Sequence, residues 1–424
     1  MGSNHAIIFG ASGITGWALV NQLLGPYPDA GTFSKVTAIT NRPLNLSETC
    51  WPESNSQRQD LQLVSGIDLR RGDGTTLADT LKRTVKDVES VTHIYYLGMS
   101  PLEYHEVQNS SPEVFTAVGD ISEEVATNRK MFKNVIDAHS LISPKLKFVT
   151  FPGGTRGYGT YSPGGTFTPP LHEEMVNDLP VDYAKTVVYT EHRKLLDAAS
   201  KGKNWTWCEI GFTPNGSQYS LSLHWAQYLS LWAYNHGIGP YTPGTNKAVE
   251  VPFPGSAAGA NSLFSPVSSK TMARFMIYAS LHPETCGNGQ LFNIADNETP
   301  CKYGEIWPHL ANWFGLVGVG PTDIPQSLDN TLKVGEVPET TPSVMPGEYI
   351  AKHRDKFAEC GRPNAVSGGV GVGNRQLDSV GYWLTFDRQL SLKRLRGTGF
   401  EGDIDPVQGW LESFKMFRKA GLIL

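Results

Sequence analysis

The chain has 424 residues, 39% of them apolar, and 36 Lys and Arg stand against 41 Asp and Glu for a formal net charge of -5. That length and apolar content allow one large domain or two fused ones. The mild acidity argues against nucleic acid as the main partner, because phosphate binding needs concentrated positive charge.

The opening MGSNHAIIFG has no basic flank before its short apolar run, so it reads as a buried strand and not as a leader. No apolar run is long enough to span a membrane, including the terminal Ala420-Gly421-Leu422-Ile423-Leu424. Cys50, Cys208, Cys286, Cys301 and Cys360 are scattered and form no C-x-x-C, which fits free thiols and a cytoplasmic location. With no secretion signal, the sequons at Asn45, Asn204, Asn215 and Asn297 read as chance.

In chain order, strands are expected at 6–9, 35–40, 61–68, 91–97, 146–151 and 205–212. Each is a short, nearly all-apolar run bounded by turn residues, which suits parallel strands buried on both faces. Amphipathic stretches lie between them. The clearest is 120–139, where Asp120 and Glu123 form a candidate cap box and Phe132, Val135, Ile136 and His139 recur at helical spacing. This alternation predicts an α/β fold, a Rossmann-like doubly wound parallel sheet. Beyond residue 212 the rhythm changes. An aromatic stretch at 219–236 and a Gly-, Pro- and Ser-rich stretch at 238–268 come first. A short helix at 302–316 and a loop-like segment at 335–374 ending in SGGVGVGN follow. The expected division is therefore 1–212, a nucleotide-binding domain, and 213–424, a smaller substrate-binding lobe with some elements returning to the first.

Gly10-Ala11-Ser12-Gly13-Ile14-Thr15-Gly16 follows the first strand and opens a helix at 17–24. Gly10 permits the sharp turn, Gly13 lets a diphosphate approach the backbone, and Gly16 lets the helix pack closely. Free N–H groups at the start of the helix, those of Ser12, Ile14 and Thr15 among them, then meet the phosphates. The second strand ends Thr40-Asn41-Arg42-Pro43 with no carboxylate to hold a ribose diol, and Arg42 can pair with a 2′-phosphate, so NADP(H) is favoured. Asp68 and Leu69 are placed to meet the adenine, and Gly98 and Met99 to lie along the ribose and diphosphate.

Reductases with such sites add a hydride from the nicotinamide and a proton from a side chain, commonly a tyrosine acidified by a nearby cation. The stretch 181–199 reads as one helix with Tyr189 beside its apolar stripe, Arg193 four residues on and Lys185 four residues back. A Tyr-x-x-x-Lys arrangement is absent. Tyr183, with Val187 at the fourth place, is a poorer candidate.

Several motifs together resemble the progesterone 5β-reductase/iridoid synthase family of short-chain dehydrogenases. They include GASGITG, NRKMFKNVIDA (128–138), GGTRGYG (153–159), TPPLHEE (168–174) and VVYTEHRKLL (187–196). FPGSAA (253–258) and LFNIADNETPCKYGEIWPHLANWFG (291–315) extend the likeness along nearly the whole chain. The resemblance implies NADPH-dependent reduction of enones and enals, in some members of carbonyls, with Tyr189 as the catalytic tyrosine. The family's catalytic lysine falls on Arg156, a departure: arginine holds charge but does not pass on its own proton. Three readings stay open. Arg156 supports a reduction electrostatically; Tyr189 serves as an oxyanion donor to an enolate; or reduction is lost and the pocket guides an isomerisation or cyclisation. A cofactor-binding regulator is the non-enzyme alternative.

The resemblance also implies that backbone at Gly211, Phe212 and Thr213 grips the nicotinamide carboxamide, although the family's Arg-Pro is replaced by Ile210-Gly211. His172 lacks a second histidine at 176, which excludes a helical zinc motif. Tyr158, Trp225, Tyr228, Trp232 and Phe264 are candidates to wall an apolar site, although aromatics at helical spacing equally build a core. The expected partner is a small hydrophobic molecule, with a homodimer left open.

Overall fold

The computed structural model describes residues 4–29, 31–52, 60–99, 121–211, 218–239, 248–322, 345–368 and 375–424. Six strands appear where the apolar runs stand: β1 (Asn4–Phe9), β2 (Phe33–Thr40), β3 (Asp60–Ser65), β4 (His93–Tyr96), β5 (Phe148–Pro152) and β6 (Thr206–Gly211). The second half of the chain supplies β7 (Glu250–Pro252), β8 (Leu263–Phe264), β9 (Gln290–Asn293), β10 (Cys301–Lys302) and β11 (Val317–Val319). The main sheet runs β3-β2-β1-β4-β5-β6-β9, and every pair in it is parallel. The order reverses between β2-β1 and β4-β5, so a crevice opens beyond the carboxyl ends of β1 and β4, the usual place for a ligand in such sheets.

Alternation along β1 separates two cores. Ala6 and Ile8 face a layer that holds Leu19 and Met276, whereas Ile7 and Phe9 face one that holds Leu77, Phe132 and Leu196. The first layer is built by α1 (Ile14–Leu24), and the second by α2 (Gly74–Thr84) and α3 (Ile121–Ile142). Helices cover both faces, which is why the strands read as continuous apolar runs. The expected cap residue Asp120 lies outside the described residues.

The stretch 181–199 is not one helix. It breaks into α4 (Val181–Ala184) and α5 (Val188–Ser200), with Thr186 Oγ1 donating to the Tyr183 carbonyl at the break. A local side-chain bond to backbone competes with the helix ladder here. The break removes Lys185 from the helix of Tyr189; Lys185 instead pairs with Asp182 at 2.9 Å.

The rest of the chain forms α6 (Gln218–Asn235), α7 (Ala257–Asn261), α8 (Ser269–Leu281) and shorter pieces. Helix α8 packs against α1, and β9 completes the sheet at its β6 edge, so residues beyond 212 return to the nucleotide-binding unit. Within 335–374, the described part is helical where a loop is expected: Pro346–His353, Asp355–Glu359 and Pro363–Gly368. These pieces are too short to be stable alone and are held by burial of Tyr349, Ile350, Phe357 and Ala365. Of SGGVGVGN, residues 369–374 lie outside the described residues.

A third core lies in the C-terminal lobe, around Trp225, Trp307, Trp410 and Phe414. Trp225 stacks on Trp410 at 5.4 Å and meets Trp307, Phe253 and Tyr303 edge-on. Trp225→Ala is expected to cost about 3–5 kcal/mol, as for other large aromatic deletions in a packed interior. Guanidinium unfolding of the full chain checks this, and an unshifted midpoint would remove the indole from the core.

Candidate active site

The turn between β1 and α1 is formed as its glycines require. Gly10 has φ +83, and a Cβ there would lie 2.5 Å from the Leu97 carbonyl oxygen. A Cβ at Gly16 would lie 2.2 Å from the Gly10 carbonyl oxygen, so the helix rests directly on the turn. Gly10 and Ala11 both donate backbone N–H bonds to the Ile39 carbonyl, at 3.1 and 3.0 Å, which ties the turn to β2. Ser12 and Gly13 are exposed. Helix α1 has no side-chain N-cap and no acidic residue in its first turn. The first N–H groups, at Ile14, Thr15 and Gly16, are thus left for an anion, with the helix dipole favouring negative charge. Thr15 turns its hydroxyl towards Met272 Sδ at 3.8 Å, a contact to α8.

Asn41 and Arg42 are exposed just past β2, and Thr40 Oγ1 donates to the Arg42 carbonyl at 2.8 Å, fixing the turn. Among the described residues no carboxylate pairs with Arg42, so its guanidinium is open to a phosphate. Leu69 and Gly98 are neighbours: a Cβ on Gly98 would lie 3.4 Å from Leu69 Cδ1. Met99 beside them is 52% exposed. Asp68 is engaged by the Arg70 guanidinium at 2.9 and 3.0 Å, which holds its carboxyl below the usual carboxylate range. These residues share the carboxyl edge of the sheet with Gly211 at the end of β6. Phe212 and Thr213 lie outside the described residues. A dinucleotide diphosphate with a charged substituent on its adenosine fits this edge.

On the same edge, β5 ends at Pro152 and runs through Gly153 and Gly154 into a 3-10 turn, Thr155–Tyr158. The Tyr189 ring lies across this turn. A Cβ on Gly154 would stand 2.7 Å from the Tyr189 hydroxyl oxygen, and one on Gly157 3.4 Å from its Cδ2. Gly154 is therefore what lets the phenol reach the loop. Among the described residues nothing hydrogen-bonds the Tyr189 hydroxyl. Close packing pushes its ionisation above the ordinary tyrosine range, and the neighbouring Tyr161 adds to this, while Arg156 pulls the other way.

The structure thus brings Tyr189 and Arg156 together, but Arg156 also has a carboxylate partner. Its Nη1 donates to Glu124 Oε1 at 3.2 Å, and Glu124, in the first turn of α3, is nearly buried. A second pair lies below: Arg193 Nη1 donates to Glu209 Oε2 at 2.7 Å, and Glu209 is 2% exposed. Its carboxylate occupies the space over Gly153, where a Cβ would come within 2.1 Å of Oε1. Neither Glu124 nor Glu209 is evident from the sequence. Glu209 sits inside an apolar strand, WTWCEIGF, and a charge in such a run was the available signal.

The candidate aromatic wall lies mostly in the interior. Trp225, Tyr228 and Phe264 have almost no accessible surface and pack in the C-terminal core. Tyr158 is buried as well and donates to Asn293 Oδ1 at 2.7 Å. Trp232 keeps partial exposure but donates its indole N–H to the Glu250 carbonyl at 3.1 Å and packs on Tyr349. Sequence spacing groups aromatics on a helix but does not say which way that helix faces. Among the described residues no cluster of His, Cys, Asp and Glu could hold a metal ion.

Fold and site together define a short-chain dehydrogenase/reductase-like protein. The model of the PRISE-like Rossmann-fold domain matches residues 6–423, and the chain belongs to that family. It is 29% identical over 429 residues to the short chain dehydrogenase ausT of Aspergillus calidoustus, covering 99% of this chain and 94% of that one. It is 25% identical over 327 residues to the 3-oxo-Delta(4,5)-steroid 5-beta-reductase of Arabidopsis thaliana, covering 74% of this chain and 70% of that one. Among solved structures, the GDP-mannoheptose C4 reductase of Campylobacter jejuni with NADP bound has a TM-score of 0.51 at 14% identity, over 98% of this chain and 99% of that one. That likeness extends to the fold. Among the described residues no helix is long and apolar enough to cross a membrane.

The buried Arg193–Glu209 pair carries a stability prediction. Burial raises the Glu209 carboxyl above its usual range, and Arg193 opposes that rise. Arg193→Met removes the opposition and leaves a buried carboxylate alone, at an expected cost of about 3–5 kcal/mol near neutral pH. A folded-state value above the unfolded one favours the native state at low pH, and that contribution fades as pH climbs through the folded value. The penalty measured by denaturant unfolding is therefore expected to be smaller at about pH 5 than at about pH 8.

Proposed function

We propose that the chain is an NADPH-dependent reductase of an apolar enone, enal or ketone. The observation that carries this reading is the Tyr189 hydroxyl held against Gly154, on the strand edge that also bears the open β1–α1 turn. Further support comes from relatives named as dehydrogenases and as a steroid reductase.

NADPH, when bound, supplies the hydride for the β-carbon of the conjugated system or for the carbonyl carbon. Backbone N–H groups of Ile14, Thr15 and Gly16 hold its diphosphate, and Arg42 pairs with the 2′-phosphate. Asn41, Asp68 and Leu69 border the adenosine end, with Asp68 kept anionic by Arg70. Gly98 and Met99 would border the ribose, and Gly211 the carboxamide. Tyr189 donates its phenol hydrogen to the substrate oxygen, where negative charge gathers as hydride arrives. A donor preplaced at that oxygen stabilises the transition state without reorganisation. For a C=C substrate the product of hydride addition is an enolate, which takes a proton from solvent at the α-carbon; for a C=O substrate it is an alkoxide, which takes its proton from solvent at oxygen. This course needs no proton relay through Arg156.

Tyr189→Phe is expected to lower turnover by about 10²–10³-fold, the usual weight of one preplaced hydrogen-bond donor at a developing oxyanion, with NADPH affinity nearly unchanged. Loss of absorbance at the reduced-nicotinamide band across a panel of enones and ketones, with product mass recorded beside it, measures this. Product formed without NADPH consumption would replace the reading with a redox-neutral isomerisation or cyclisation. Arg42→Ala is expected to weaken NADPH by about 10–100-fold, from the loss of a charged hydrogen-bonded contact. NADH should be almost unaffected, and equal losses in titrations of the two cofactors would refute the phosphate role.

A further inference from the structure

Tyr189 sits among two arginines and two glutamates, and each arginine is bonded to one of the glutamates. Arg156 is held by Glu124 at 3.2 and 3.5 Å, and Arg193 by Glu209 at 2.7 Å. The four charges come from four elements: the first turn of α3, the 3-10 turn after β5, helix α5 and strand β6. The remaining titratable groups nearby are uncharged at neutral pH. His192, which follows Tyr189 on α5, is pushed down to about 4 by burial, and Tyr183 is pushed up to about 12. Tyr161 faces Tyr189, and the Arg156 guanidinium lies 5.9 Å from the Tyr161 ring centre. Among the described residues, the two arginines and two glutamates around the phenol balance in charge.

We propose that Glu124 is a positioning residue: it clamps Arg156 to the start of α3 and cancels its charge, so that Tyr189 works as a neutral hydrogen-bond donor and not as an acidified phenol. The proposal rests on Tyr189 being the donor of the reaction proposed above. Placement makes Glu124 suited to the task. Its side chain is 9% exposed and that of Arg156 21%, so solvent only partly screens the pair. The site of Glu124 is itself fixed, because Asn128 Nδ2 donates to its backbone carbonyl at 2.9 Å. An opposite charge within a few ångströms of a phenol favours the phenolate, and a bound carboxylate counters that pull. The poor capacity of Arg156 for proton relay is no handicap in this role: a planar guanidinium can bind a carboxylate and still face a ring.

The test follows the phenolate itself and needs no substrate. Ultraviolet difference titration of the full chain against Tyr189→Phe isolates the Tyr189 phenolate band. The wild type is expected to show no band up to about pH 10.5, because Tyr189 ionises above the ordinary range. Glu124→Gln frees the Arg156 charge and should raise the phenolate signal at one fixed alkaline pH about ten-fold over the wild type, as a fall of about one unit in its ionisation does. Glu124→Asp should restore the wild-type titration, and so should Glu124→Gln with Arg156→Gln, which removes both charges. The alkaline limb of kcat/KM should move with the band. A folded Glu124→Gln protein, verified by its thermal melt and circular dichroism, with an unmoved titration would overturn the proposal. So would a shift that persists after Arg156→Gln. If the band moves as expected while the wild type reduces no enone or ketone, the clamp stands and the reductase reading falls.

Discussion

The distance between the Gly16 Cα and the Gly10 carbonyl constrains everything else at the site. The helix α1 can start where it does only because Gly16 carries no side chain towards the Gly10 carbonyl, and the turn fits against the Leu97 carbonyl only because Gly10 carries none. With α1 so close, its first N–H groups open directly above the carboxyl end of β1, at the place where the sheet order reverses. Residues that follow β2, β4 and β5, with Gly211 at the end of β6, then border that point because parallel strands deliver all their exits to one edge. The phenol of Tyr189 reaches the same edge by a second close approach of the same kind, at Gly154. Two contacts that exclude a methyl group thus align two ends of an extended ligand site.

The nucleotide half was legible because its signals are local. Strands buried on both faces are short apolar runs, and a strand-to-helix turn over a phosphate needs glycines at fixed places. Tyr189 and Arg156 could be named from motif resemblance, but the state in which the structure holds them could not. Glu124 is separated from Arg156 by 32 positions and Glu209 from Arg193 by 16, and neither pairing leaves a periodic trace in the sequence. The helix break before Tyr189 was missed for a different reason. Thr186 looks like any other helical position until its hydroxyl takes the Tyr183 carbonyl. The aromatics of α6 were open to two readings because the helix is apolar nearly all round, which points to burial but gives no preferred face.

Electrostatically the site is economical with solvent. Two ion pairs and two neutral tyrosines replace the single cation expected beside the Tyr189 phenol. Buried pairs of this kind add little net stability compared with apolar packing, because desolvation offsets much of their attraction. Their value lies in direction. A guanidinium bonded to a carboxylate has a fixed plane, and the loop that bears it is fixed with it. Here that loop also supplies Gly154, so the anchoring of Arg156 steadies the surface on which Tyr189 rests.

The return of the chain to its own beginning also bears on how such proteins diversify. Helix α8 covers α1, and β9 extends the sheet beyond β6, so the part that follows residue 212 is woven through the part that precedes it. Halves joined in this way cannot be exchanged between relatives as cassettes, since a transplanted C-terminal portion would bring its own sheet edge and helix layer.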